Sequence, residues 1–324
     1  MLRSVIGDHA LDALTKNPAK REAYRYDPYM REGLGSLAAA GLSPSGLREG
    51  GPLHRHTFVV LKPDAVAGRR CRLVLDTLRS EGWHPVAATP VRFTPLLTRE
   101  LWRYQFNAAS EQRIAVVDHL LGSGRSLLLL LEDLDRPDWL PASARLTTAK
   151  GSAEPRAART VDLRTRIGRV NGLFNFMHTA DEPADVVREL QLFSYETGWA
   201  WCSDALLAAE ADTTRRREAA DVVTQRLLDE LEAATPAHDL DVAHSLRRLS
   251  GLDGPWGDCA RTRPSPSQVG AWLDVLSTAD LPDPSGRWDV LTVLTSWIEC
   301  NEPGISPLIP TASAESWRNE VMYT

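Results

Sequence analysis

Thr57-Phe58-Val59-Val60-Leu61-Lys62-Pro63-Asp64 is the stretch on which the fold turns. Its apolar run at 58–61 shows no polar alternation, so it predicts a strand covered on both faces, and the strand ends on a lysine. Residues 126–132 form a second continuous apolar run of the same kind. Between the two, Leu73, Val74, Leu75 and Leu78 fall at helical spacing over 70–81, and Gly82 stops the helix. Residues 83–93 read as a weaker candidate for a further strand, which Pro85 and Pro90 would confine to an edge or interrupt. Helices are expected at 98–104 and at 111–121, the second ending at Gly122. A last strand is expected at 173–177, then a helix at 183–193 with Pro183 in its first turn. Strands and helices in this order suit an α/β (α+β) sandwich with an antiparallel sheet covered by helices.

The flanks differ in character. Gly35, Gly41, Pro44, Gly46, Gly50, Gly51 and Pro52 predict a linker over 35–52, and Tyr24, Tyr26, Tyr29 and Met30 form an aromatic patch before it. After residue 193 the chain reads as helices at 202–232 (with a break at 213–217), 237–249, 267–276 and 288–300, with 254–267 rich in Pro and Gly. Most of the ten tryptophans fall in this region, which reads as core. The division expected is an N-terminal arm and linker at 1–52, an α/β domain at 53–195 and an all-α region of unknown role at 196–324.

Composition bounds the function. The hydrophobic share is 43%, the charged share 25% and the net charge −6, so no basic field would gather nucleic acid. Cys71, Cys202, Cys259 and Cys300 lack CxxC spacing and read as thiols of a reducing compartment. The longest apolar run, 127–131, is too short to span a bilayer, and a cytoplasmic location is expected.

Chemistry concentrates in Asn175-Phe176-Met177-His178-Thr179-Ala180-Asp181, with Glu189 eleven residues past His178. Together with Lys62-Pro63-Asp64, and Arg164 between them, these residues resemble the nucleoside diphosphate kinase family. The resemblance implies a ferredoxin-like domain in which a histidine relays a phosphoryl group between nucleotides. It implies His178 as nucleophile and Glu189 as the carboxylate orienting it. It implies Lys62 and Arg164 on phosphates, Asn175 on the sugar and Tyr104 as a buttress, with Gly151 and Pro155 in the turn before the arginine. Mg²⁺ would accompany the nucleoside tri- and diphosphates, and a homo-oligomer, here a dimer, is expected.

The chain also departs from that pattern. The family's Gly-Ser after the histidine is Thr179-Ala180 here, and its second arginine and threonine align with Thr147 and Ala153. Arg145 would replace that arginine if the loop shifts by two residues. Near Ile114 there is no aromatic side chain to stack on a base. These losses fall on nucleotide grip and raise a second reading, a nucleotide sensor with the C-terminal helices as its output. A third, a site built from His238, Asp239, Asp241, His244 and Asp253, has no recognised spacing, and those residues read as a solvated face.

Overall fold

The computed structural model describes residues 8–208, 213–262, 264–312 and 314–318. Residues 1–7 of the expected arm, and 209–212, 263, 313 and 319–324 of the C-terminal region, lie outside the described residues. Four strands, β1 (His56–Leu61), β2 (Trp83–Arg92), β3 (Arg125–Asp133) and β4 (Met177–Thr179), form one sheet. The order is β2-β3-β1-β4 and every pairing is antiparallel. Helices cross between β1 and β2 and between β3 and β4, which is the ferredoxin-like arrangement. Val60 of β1 sits between Leu128 of β3 and His178 of β4.

The two central strands lack alternation because both sheet faces are buried. Val59, Leu61, Leu127, Leu129 and Leu131 enter one core, shared with helix Cys71–Ser80, helix Thr213–Ala234 and the C-terminal Trp256, Trp272 and Trp288. Phe58, Val60, Leu128 and Leu130 enter the other, with Leu14, Tyr24 and Met30 of the N-terminal helices and Val187, Leu190 and Phe193 of helix Pro183–Thr197. Each such side chain contributes roughly 1.5–3 kcal/mol of transfer free energy. The flanking regions therefore complete the faces of the sheet.

Several expectations shift on the structure. The 35–52 linker is largely ordered. Helix Pro28–Ala39, capped by Asp27, runs through Gly35, and a 3-10 turn Pro44–Leu47 and helix Pro52–Arg55 follow. Gly33 explains the contact: a Cβ there would stand 2.7 Å from the Val187 carbonyl, so the two helices meet backbone to backbone. The helix expected at 98–104 is Pro95–Leu101, because Thr94 accepts the Leu97 N–H at 3.1 Å and Pro95 fits the first turn. Residues 213–217 do not break a helix; they open Thr213–Ala234. The Pro- and Gly-rich segment after 254 holds helix Pro255–Thr262. The edge strand β2 carries its irregularity between Pro85 and Ala87, as its prolines imply.

The strand expected at 173–177 is displaced to β4. Asn171 Oδ1 accepts the Leu173 and Phe174 N–H groups at 2.9 and 2.8 Å, and Asp64 Oδ2 accepts that of Phe176 at 3.0 Å. These side chains hold residues 173–176 in a loop. Phe176 has φ 70°, a left-handed conformation uncommon for a bulky side chain, two residues before His178.

Candidate active site

His178 lies on β4, and helix Pro183–Thr197 starts five residues later, which brings Glu189 back beneath the imidazole. Nε2 of His178 and Oε2 of Glu189 are 2.6 Å apart, with side chains 14% and 9% exposed. The rings of Trp102 and Phe58 pack against the imidazole at 5.0 and 6.0 Å. Burial, reinforced by the positive charges of Lys150, Arg164 and Lys62, pulls His178 from 6.5 down to about 3, so the ring is neutral. Burial, with Asp185 adding to it, raises Glu189 well above the usual carboxylate range. That pairing occupies Nε2 and leaves Nδ1 as the other ring nitrogen.

Beside the ring is a cavity of about 100 Å³. His178, Lys62, Arg164 and Asn175 all line it, so four residues separated by up to 116 positions in sequence converge there. Lys62 caps β1 and donates Nζ–H to the Leu173 carbonyl at 2.6 Å, with Asp64 Oδ2 at 3.6 Å. Burial draws it down to about 8, against the pull of Asp64. Arg164 donates to the carbonyls of Gly151 at 3.1 Å and Met177 at 3.2 Å, while its Nε is buried without a partner. Burial takes Arg164 down to about 10. Asn175 donates to the Gly172 carbonyl at 2.6 Å and its Oδ1 is buried without a partner. Desolvated cations held by carbonyl dipoles, with donors to spare, form a seat for an anion.

Two other expected residues are placed elsewhere. Tyr104 donates its hydroxyl to Asp27 at 3.0 Å and packs under the Arg188 guanidinium, 5.3 Å from the ring centroid. It fastens the N-terminal helices. Arg145 pairs with Asp133 at 3.0 Å, donates to the Glu81 carbonyl at 2.6 Å and stacks on Trp83 at 3.9 Å, at the end of the sheet away from His178. Its helix, Ala142–Lys150, presents Thr147 and Lys150 toward β4 instead. Thr147 donates to Asp181 at 2.7 Å.

Three residues near the histidine carried no motif. Lys150 donates to Thr179 Oγ1 at 2.7 Å, lies 3.5 Å from Asp181 and is drawn down to about 8 by burial. Trp102 and Arg113 line the cavity, Arg113 from helix Glu111–Gly122. Lys150 is one of four lysines in the chain, and no motif pointed to it. For Arg113, one of many arginines, there was no signal.

The histidines of the C-terminal region form a closed ion network. His238 meets Asp289 at 2.8 Å, Arg248 bridges Asp289 and Asp239, and His244 meets Asp239 at 2.7 Å. Asp241 caps helix Val242–Ser250, and Asp253 is exposed. The His238 N–H donates to the Ala67 carbonyl at 2.9 Å, so the network fastens these helices to the first crossover. A wider cleft of about 780 Å³, lined by Asp118, His119 and Arg287, lies apart from the His178–Glu189 pair.

No protein-family model matches the chain, and no curated protein sequence matches it. Among solved structures, the nucleoside diphosphate kinase of Aquifex aeolicus is similar at 22% identity and TM-score 0.35, covering 43% of this chain and 93% of that one. The apo nucleoside diphosphate kinase of Encephalitozoon cuniculi is similar at 20% identity and TM-score 0.36, covering 43% and 88%. At TM-scores this low the likeness carries no weight for activity. The fold follows from this chain's own strand order and pairing.

Proposed function

We propose that the protein is a phosphotransferase that moves the γ-phosphoryl group of a nucleoside triphosphate, through phospho-His178, to a nucleoside diphosphate or a modified analogue. The observation that carries this reading is the 2.6 Å His178–Glu189 pair facing a cavity that Lys62 and Arg164 also line. In the first half-reaction Nδ1 attacks the γ-phosphorus, the bond to the β,γ-bridging oxygen breaks and the nucleoside diphosphate leaves. Positive charge develops on the ring, and Glu189 steadies it through Nε2–H. In the second, a terminal oxygen of the acceptor attacks the phosphorus and the P–N bond breaks. Lys62 and Arg164 carry charge to the transferring oxygens, since the loose transition state calls mainly for position and positive potential. Asn175 offers polar contact to the sugar.

Among the described residues no group of three His, Cys, Asp or Glu is placed to hold a metal ion, so Mg²⁺ in this proposal arrives with the nucleotide. Among them, too, no helix is long and apolar enough to cross a membrane. A cytoplasmic homo-oligomer, a dimer in the first instance, completes the reading.

The sensor reading draws on one observation. A cavity of about 100 Å³ takes a phosphoryl group but not a nucleotide, for which pockets of roughly 300 Å³ or more are usual. C-terminal residues bridge its surroundings, so nucleotide binding would be felt there. Steady-state exchange of label from ATP to GDP separates the two readings. Parallel-line kinetics that vanish in His178→Ala support transfer. A nucleotide-dependent rise in melting temperature with no exchange supports the sensor.

A further inference from the structure

The cavity beside His178 draws cations from two walls. Lys62 and Arg164 belong to the wall that carries the histidine, and both donate to carbonyls of the 172–178 loop or its immediate neighbours. Arg113 stands on the other wall, in the first turn of helix Glu111–Gly122. Burial lowers it below the ordinary arginine range, yet its Nε has no partner, and Nη1 donates to a neutral acceptor, Asn301 Oδ1, at 3.1 Å. The Phe106 ring supports the guanidinium at 5.6 Å. A planar fork of five donors so held, and lining a cavity, suits bidentate binding of a phosphate. Arg145, the arginine that the sequence pointed to for this task, is occupied by Asp133 and Trp83.

Asn301 belongs to a C-terminal segment that ties the two walls together. Asn171, on the loop side, donates to Thr295 at 3.1 Å, and a Cβ on Gly172 would stand 3.1 Å from Cys300 Sγ. On the helix side, Ser110 donates to the Glu299 and Cys300 carbonyls, Ala109 bridges Asn301, and the Glu302 N–H donates to the Ala108 carbonyl at 2.9 Å. These bonds are polar, and between Ile298 and Ile309, which are buried, the large apolar side chains Ile305 and Leu308 are exposed.

We propose that Arg113 is the second phosphate arginine of this site, gripping the two phosphates that are not transferred. In the closed form Asn301 holds the position on the guanidinium that those phosphates take. The proposal rests on the phosphotransfer reading only for the identity of the anion. Admission of a nucleotide then breaks the Arg113–Asn301 bond and lifts the segment from helix Glu111–Gly122, which links substrate binding to the C-terminal region.

Calorimetric titration of inorganic diphosphate into the full chain tests this. Arg113→Gln should weaken binding by about tenfold or more, the worth of one charge-assisted hydrogen bond. Arg113→Lys should recover part of the loss, and Asn301→Ala should tighten binding several-fold. Urea unfolding midpoints of all three should match that of the wild type, which excludes unfolding as the cause. Diphosphate binding unchanged in Arg113→Gln, or weakened in Asn301→Ala, overturns the proposal, as does a wild-type chain that binds no diphosphate. The result remains separable from the chemistry. Arg113-dependent binding without any phosphohistidine would count against the transfer reading alone, and a phosphohistidine with Arg113-independent binding would count against this inference alone.

Discussion

Lys20→Met removes the cation from beneath helix Pro183–Thr197. Lys20 is 2% exposed and sits 2.5 Å from Asp185 Oδ2 and 2.9 Å from Glu182 Oε2, themselves 4% and 0% exposed. Both carboxylates lie at the start of helix Pro183–Thr197, each serving as partner in its capping box. Without Lys20 they would remain buried, held only by neutral donors: Thr15 Oγ1 at 2.6 Å and the Lys16 N–H at 2.9 Å on Glu182, and the Tyr24 hydroxyl at 2.6 Å on Asp185. Removing one side of a buried ion pair costs about 3–5 kcal/mol. The surviving hydrogen bonds place the expected loss near the lower end, about 3 kcal/mol, a large part of a total of ~5–15 kcal/mol. The sign with pH follows. Asp185 is already raised by burial, and losing Lys20 raises it further, so the folded variant binds protons more readily than its unfolded chain. Its stability therefore falls as pH rises. Equilibrium urea unfolding should give a deficit of about 3 kcal/mol near pH 7 that shrinks toward pH 5. A deficit below about 1 kcal/mol, or one independent of pH, would refute the reasoning.

Three further outcomes are expected. Glu189→Gln keeps the shape but replaces a group that can take up a proton from Nε2 with an amide that cannot, so phosphorylation of His178 by ATP should slow by about 10- to 100-fold, from roughly 1.5–3 kcal/mol for a hydrogen bond to the imidazolium that forms. An unchanged rate would remove Glu189 from the chemistry. The labelling rate should stay level from about pH 5 to 7, because the imidazole remains neutral down to about 3, and should fall as pH rises through about 8, where Lys62 loses its proton. A decline centred near the ordinary imidazole value of about 6.5 would contradict this account. Leu129→Ala, at a fully buried position of β3, should lower unfolding stability by about 2–5 kcal/mol in urea titration, and a loss under 1 kcal/mol would contradict the two-sided burial of the sheet.

What the sequence made legible were the features set by local pattern. The unalternating runs at 58–61 and 126–132 signalled strands buried on both faces, and they are the two centre strands. Pro85 and Pro90 marked the edge. The histidine, Lys62, Arg164 and Asn175 were visible as spaced motifs, and they converge on one cavity. What was hidden depends on distant partners. β4 starts late because Asn171 and Asp64 hold 173–176 in a loop. The glycines of 35–52 suggested a linker, but helix Pro28–Ala39, which runs through Gly35, is fixed at Gly33 by the approach of helix Pro183–Thr197, some 150 residues away in sequence. Tyr104 and Arg145 lie apart from the histidine, and each side chain is taken by another partner, Asp27 and Asp133. No local pattern states the direction of a side chain in the folded molecule.

Transfer through His178 is tested most directly by the intact mass of the full chain after incubation with MgATP, for the wild type and for His178→Ala. The account predicts one added phosphoryl group on the wild type, lost when a nucleoside diphosphate is added, and none on the variant. An unmodified wild type that is folded and binds MgATP, or an equal mass gain on His178→Ala, would contradict it.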